Sequence, residues 1–298
     1  MATIYFFIVI GYISKKSFKE QLDQKTLILL NLYFLQPILI FWGLTRAPIN
    51  FDFMLSPAIY FVIVFIVLAL TLLVVKPLFK DKSDRSIYLA AATVGNTGNL
   101  GIPLGIALFG EQSVPYTSII NIANVLFIYT FSVYFFAKDK FDFKSSIISI
   151  FKIPAIWFAV VALLMNYLHI NFNADINRVL EMGAYTAIVL QLVIFGIYLS
   201  EIRMSTINWK LSLNIVLIKH IVLPAVGLGI ILLSDLNPYV GAILFMELMV
   251  PLAVNNVNLA ALYNCKPHDT TSAILLTSIT FITLIYFYLE IIHYFFGV

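Results

Sequence analysis

Charge is scarce in this sequence. Only 11% of its 298 residues are Asp, Glu, Lys or Arg, against about 25% in an ordinary soluble domain. A single cysteine, Cys265, excludes a disulfide framework and a thiolate metal cluster. No phosphate loop, metal-ligand cluster or glycine-elbow serine is present, so no enzymatic activity is expected. GNTGNLG (95–101) spaces its glycines but lacks the strand–turn–helix setting of a dinucleotide site. No nucleotide-binding domain is recognisable, which leaves ion or solute gradients as the source of any uphill work. Alternating segments of about ten residues are also missing, which argues against a β-barrel.

Long apolar runs are what the chain does have. It is 61% hydrophobic, with a mean hydropathy of +0.98, and this composition predicts a polytopic α-helical membrane protein embedded in a lipid bilayer. Ten spans fit, at 2–13, 27–45, 56–75, 87–109, 114–137, 153–170, 184–200, 211–233, 239–263 and 270–296. The first reads as a short span, not a cleaved signal.

Basic residues alternate between the loops. The odd-numbered loops hold Lys15, Lys16, Lys19 and Lys25; then Lys76, Lys80, Lys82 and Arg85; then Lys138, Lys140, Lys144 and Lys152; then Arg203 and Lys210; then Lys266. The even-numbered loops hold only Arg46 and Arg178, and Lys219 lies within a span. The positive-inside rule puts the odd loops in the cytoplasm and both termini outside, in the inner (plasma) membrane. The same distribution accounts for the pI of 8.8 without a nucleic-acid partner.

An internal repeat divides the chain. ALFGEQSVPYTSII (107–120) aligns with ALYNCKPHDTTSAI (261–274) at an offset of 154. The same offset carries GNTGNLGIPLG (95–105) in span 4 onto MVPLAVNNVNLA (249–260) in span 9. The halves are therefore 1–137 and 153–298, joined by a short cytoplasmic linker at 138–152. A five-span unit crosses an odd number of times, so two in tandem lie inverted. Paired interrupted helices in inverted repeats point to a secondary transporter's midplane site.

Why break a membrane helix in its middle? Pro103 and Pro251 remove backbone donors and obstruct the preceding turn, and glycine lowers helix preference. The freed N–H and C=O groups are tolerable only beside protein or a water-filled cavity. Crossing half-helices would frame an anion with peptide dipoles. Asn96, Thr97 and Asn99 sit at the first break, and Asn255, Asn256 and Asn258 at the second. Their carboxamides can bind a carboxylate or satisfy the kinked backbone, and both readings stand. Asn121 and Asn124, three apart on span 5, share a face that lines the cavity or joins helices, and Tyr129 can set a ring against substrate. The ionisable groups within spans are Lys219, His220 and Glu247. A Lys219–Glu247 pair would be structural or would serve ion coupling, and His220 reads more readily as packed than as functional.

NTGNLGIPLGIALFG (96–110) resembles the broken fourth helix of the auxin efflux carrier family, and MELMVPLAVNNVNLAALY (246–263) resembles its ninth. IYT (128–130) and KHIVLP (219–224) are similar to its fifth and eighth helices. The resemblance implies ten transmembrane helices in two inverted repeats, with helices 4 and 9 crossing as in sodium/proton antiporters and bile-acid symporters. It implies a scaffold of spans 1, 2, 6 and 7, which also forms a homodimer, and a transport domain of spans 3–5 and 8–10 moving as an elevator. The implied substrate is a small organic anion held by Asn96 and by Asn255 or Asn256 near Pro103 and Pro251. No cofactor is implied beyond a coupling ion, H+ or Na+. The family often has a proline in its tenth helix; TFITLIYFY (280–288) has none, which would straighten span 10. The rivals are a sodium-coupled or proton-antiporting carrier on this fold and a non-transporting membrane sensor.

Overall fold

The computed structural model describes residues 2–137, 148, 151–201 and 207–298; most of the expected 138–152 linker lies outside the described residues. Within them the protein is helical, with no β-strand and one isolated antiparallel bridge, Gly95 to Leu252. In chain order the helices are α1 Ala2–Phe18, α2 Gln24–Leu44, α3 Phe51–Leu78, α4 Lys82–Ala91, α5 Thr97–Phe109, α6 Glu111–Ala137, α7 Pro154–Tyr167, α8 Ala174–Glu201, α9 Trp209–Leu233, α10 Pro238–Met249, α11 Asn255–Leu262 and α12 Pro267–Phe296. Six of them (α2, α3, α6, α8, α9 and α12) are long and apolar enough to cross a membrane. The first helix runs past the expected residue 13, because Ser14, Lys15 and Lys16 contain no breaker and lysine is a good helix former. The last helix is continuous over 30 residues.

Asparagine and aspartate in the connecting turns set the starts. Asn50, Asp81, Asn208 and Asn237 accept from the backbone amides of Phe53, Asp84, Leu211 and Tyr239, satisfying donors that the first turn leaves open. Proline opens α7, α10 and α12, where its missing N–H costs nothing.

The helices pack in two sets. α1 lies along α8, while α2 packs on α7 and α8. A Cβ on Gly11 or Gly196 would strike the carbonyl of Val193 or Ile8, so α1 and α8 meet backbone to backbone, as small residues allow in membranes. In the other set α3 packs on α6 and α9, α4 on α6, and α12 on α9, α10 and α11. The sets touch where α2 meets α6 and where α5 meets α8 and α1.

Four π-helical turns interrupt the described helices, at Asn31–Leu35, Thr97–Gly101, Ile128–Ser132 and Ile218–Val222. Three of them precede a proline, at Pro37, Pro103 and Pro224. A proline ring leaves the carbonyl four residues back without its donor, and a widened turn accommodates that loss. At Pro224 the freed carbonyl belongs to His220, and the Tyr288 hydroxyl donates to it at 2.9 Å. The turn at Ile128–Ser132 has no such proline.

Candidate functional site

α4 stops at Ala91 and α5 begins at Thr97; α10 stops at Met249 and α11 begins at Asn255. The two unwound segments meet. The Asn96 amide donates to the Pro251 carbonyl at 2.8 Å, beside the Gly95–Leu252 bridge. Each segment is held by the long helix that follows it in its own half. From α6, Asn124 Nδ2 donates to the Gly95 carbonyl at 2.8 Å. From α12, the Thr277 hydroxyl accepts from the Leu252 amide at 3.3 Å.

The polar network at the crossing has a fixed direction. A carbonyl can only accept, so the Gly95 bond orients the Asn124 carboxamide. Its Oδ1 then accepts from the Tyr60 hydroxyl at 2.8 Å. Its Nδ2 also donates to Thr97 Oγ1 at 2.9 Å, and Thr97 passes its own proton to Asn121 Oδ1 at 2.8 Å. Asn121 is thereby left with its Nδ2 as a free donor. Both Asn121 Nδ2 and Asn96 Nδ2 are buried without a hydrogen-bond partner.

These groups border a cavity of about 50 Å³ whose lining includes Asn96, Thr97, Asn99, Asn124, Tyr129 and Asn255. The first residues of α5 and α11 both face it, so two helix N-termini, each a partial positive charge, converge on one space. One water needs roughly 10–15 Å³ on this measure, so the cavity has room for a few waters and not for an organic anion.

Other expected site residues lie around the crossing and do not border the cavity. Pro103 and Pro251 act through the backbone, at the start of α5's regular turns and as the acceptor for Asn96. Asn256 is fully enclosed and turns its Nδ2 back to the Ala253 carbonyl at 2.9 Å, tying the first turn of α11 to the unwound segment before it. The expected Lys219–Glu247 pair forms no direct salt bridge, although the two charges act on one another. Lys219 Nζ donates to the Leu248 carbonyl at 2.9 Å, where the broken end of α10 leaves acceptors open and a cation suits the dipole. Glu247 is fully enclosed, and neither carboxylate oxygen has a hydrogen-bond partner; it is wedged against Gly101 of the opposite broken segment. His220 is a packed side chain. Its Nε2 lies 2.8 Å from the Thr277 carbonyl and must carry the proton, while Nδ1 meets the Tyr288 hydroxyl at 3.1 Å.

A family described as membrane transport protein matches residues 1–146 and 141–289. The chain belongs to the auxin efflux carrier family. It is also similar to an uncharacterized transporter of Methanocaldococcus jannaschii, 23% identical over 284 residues and covering 91% of each chain. As a member of a membrane transporter family with six candidate spans, the carrier is a multi-pass membrane protein.

Sequence reasoning missed part of this carrier's cavity wall. Asn31 and Gln36 of α2 and Tyr198 of α8 border it. Asn31 and Gln36 are five apart across a π turn, which places them on one face. The available signal was two buried polar residues, ending in Gln-Pro, within an apolar span. Tyr198 offered none, because an aromatic in a span reads as packing.

Proposed function

We propose that the protein is a secondary carrier of small organic anions, with the substrate bound where the two broken helices cross. The observation that carries this reading is the pair of buried N–H donors on Asn96 and Asn121, which lack acceptors and stand between two helix N-termini. A buried unmatched donor costs about 1–3 kcal/mol, and a carboxylate would satisfy both donors.

The finer reading is ten crossings in two inverted five-helix repeats, with α4–α5 and α10–α11 as the broken fourth and ninth. The scaffold is α1, α2, α7 and α8; the remaining helices form a transport domain that moves against it as an elevator. The cavity supports this division, since its wall takes Gln36 and Tyr198 from one set and Asn96, Asn124 and Asn255 from the other. Its small volume fits a closed stage of the cycle, opened when the sets part. The alternation of basic loops supports termini outside the cytoplasm, in the plasma membrane. Phe6, Ile13, Trp157 and Val160 are exposed apolar residues of the scaffold set, where lipid and a second copy in a homodimer would pack. Glu247, enclosed and without hydrogen-bond partners, is the group we assign to coupling with H+ or Na+.

Uptake of labelled mono- and dicarboxylates into proteoliposomes, with and without sodium and a pH gradient, tests the reading. Saturable uptake that falls with Asn96→Ala and Asn121→Ala supports it. No carboxylate flux under any gradient, or full flux in both variants, overturns it.

A further inference from the structure

A second cavity lies where the end of α2 and the turn after it meet the starts of α6 and α10. At about 460 Å³ it is far roomier than the crossing, and it falls within the roughly 300–1,000 Å³ of small-molecule sites. Its wall takes Trp42 from the end of α2, Arg46 from the turn after it, Glu111 and Tyr116 from the start of α6, and Tyr239 from α10. It thus spans the two helix sets.

The chemistry of that wall is specific. The Arg46 guanidinium lies over the Trp42 indole, 4.6 Å from the ring centroid. Stacking occupies the guanidinium face and leaves its N–H edge for a planar acceptor. Among the described residues no carboxylate lies within ion-pair distance of Arg46. Trp42 is 1% exposed and its indole Nε1 is buried without an acceptor. Tyr116 and Tyr239 meet edge to face at 6.3 Å and supply an aromatic wall. Glu111 accepts a hydrogen bond from the Tyr185 hydroxyl of α8, and its charge disfavours a second anionic group nearby.

We propose that this cavity is a separate binding site for a monocarboxylate with an aromatic or apolar body, its carboxylate on the Arg46 edge and its body against Tyr116 and Tyr239, beside the Trp42 that Arg46 covers. The ligand class follows from the cavity's own groups and does not depend on what the crossing carries. One cation and an adjacent fixed anion select a single negative charge, and the rings select an apolar body over a sugar-like one.

The test is equilibrium binding of 3-phenylpropionate to the purified full-length protein, read by fluorescence in a Trp157→Phe/Trp209→Phe background in which Trp42 alone reports. Saturable quenching is expected, with succinate and 3-phenylpropanamide much weaker. Losing a charge-assisted bond of about 1.5–3 kcal/mol predicts roughly ten- to a hundredfold weaker binding in Arg46→Gln, with part recovered in Arg46→Lys. Asn96→Ala should leave this binding in place. Absence of saturable quenching, equal affinity in Arg46→Gln, or loss of binding in Asn96→Ala overturns the proposal. Transport that persists without quenching counts against this site alone, and quenching that persists without any carboxylate transport counts against the carrier reading alone.

Discussion

Asn124 donates its carboxamide to the carbonyl of Gly95, 29 residues earlier in the chain, at 2.8 Å. That bond turns an unwound segment into a defined surface. It fixes which end of Asn124 meets Tyr60 and makes the Thr97 hydroxyl an acceptor from Asn124 that must donate onward, hence which end of Asn121 is left free. Asn124→Ala removes the donor to two groups, the Gly95 carbonyl and the Thr97 hydroxyl, and the acceptor for two more, the Tyr60 hydroxyl and the Gly95 amide. About 1–3 kcal/mol per stranded buried group predicts a marked fall in the thermal midpoint in detergent, together with loss of carboxylate uptake. Asn124→Ala with normal uptake would show that the crossing does not need this network.

Glu247 and Gly101 touch across the two broken segments. A methyl group at position 101 would overlap the carboxylate, and overpacking a tight interior costs about 1–3 kcal/mol. Gly101→Ala should therefore lower stability, measured by thermal unfolding. Glu247→Ala in the same chain should restore most of the loss, since the two substitutions share one space.

The absence of a direct salt bridge between Lys219 and Glu247 makes a contrasting prediction. Glu247→Gln preserves shape and breaks no hydrogen bond, so the folded protein should persist with its thermal midpoint nearly unchanged. Its transport should lose its dependence on the coupling gradient. Lys219→Met, by contrast, strips the Leu248 carbonyl of its donor and should destabilise by about 1–3 kcal/mol. A midpoint for Glu247→Gln as low as that of Lys219→Met would restore the ion-pair view.

Lys266 bridges two connecting turns, reaching Asp84 at 2.7 Å and Asp81 at 3.0 Å. The Asp84 amide and the Lys266 ammonium hold the Asp81 carboxyl below its ordinary 3.8. A lowered folded value means that this stabilisation is fully present above pH 3.8 and is lost as pH falls through the lower folded value. The pair is largely exposed, so Asp81→Asn should cost no more than about 1 kcal/mol. Thermal unfolding of parent and variant should differ at pH 6 and converge in the acid limit.

Tyr185 and Glu111 join the two helix sets, and Glu111 also lines the larger cavity. Relative movement of the sets must break that bond. Tyr185→Phe should raise the rate of carboxylate exchange if the bond holds one end state, while equilibrium binding to the larger cavity changes little. An unchanged exchange rate would count against movement at this seam.

Much of this was legible in the chain. Scarce charge and long apolar runs dictate helices in lipid, because a bilayer forces every backbone group to pair within its own segment. Pro103, Pro251 and their neighbouring glycines and asparagines marked the two breaks, since proline and glycine act locally. Asn124 and Asn121 were recognisable as sharing a face by their spacing alone.

Direction and partnership were not legible. Sequence placed Lys219 and Glu247 among the few charges in the spans, and opposite signs suggested a pair; only the packing of α9 on α10 showed that the lysine takes a carbonyl and the glutamate a glycine. Asn31 and Gln36 entered the cavity through a π turn whose extra residue no helical periodicity anticipates. The larger cavity is assembled from the end of α2 and the starts of α6 and α10. Periodicity, capping and breakage depend on neighbours along the chain, so the sequence determined where helices run and where they stop. Which polar atoms remain unpaired, and around what volume, depends on residues far apart in sequence, and that only the tertiary structure decided.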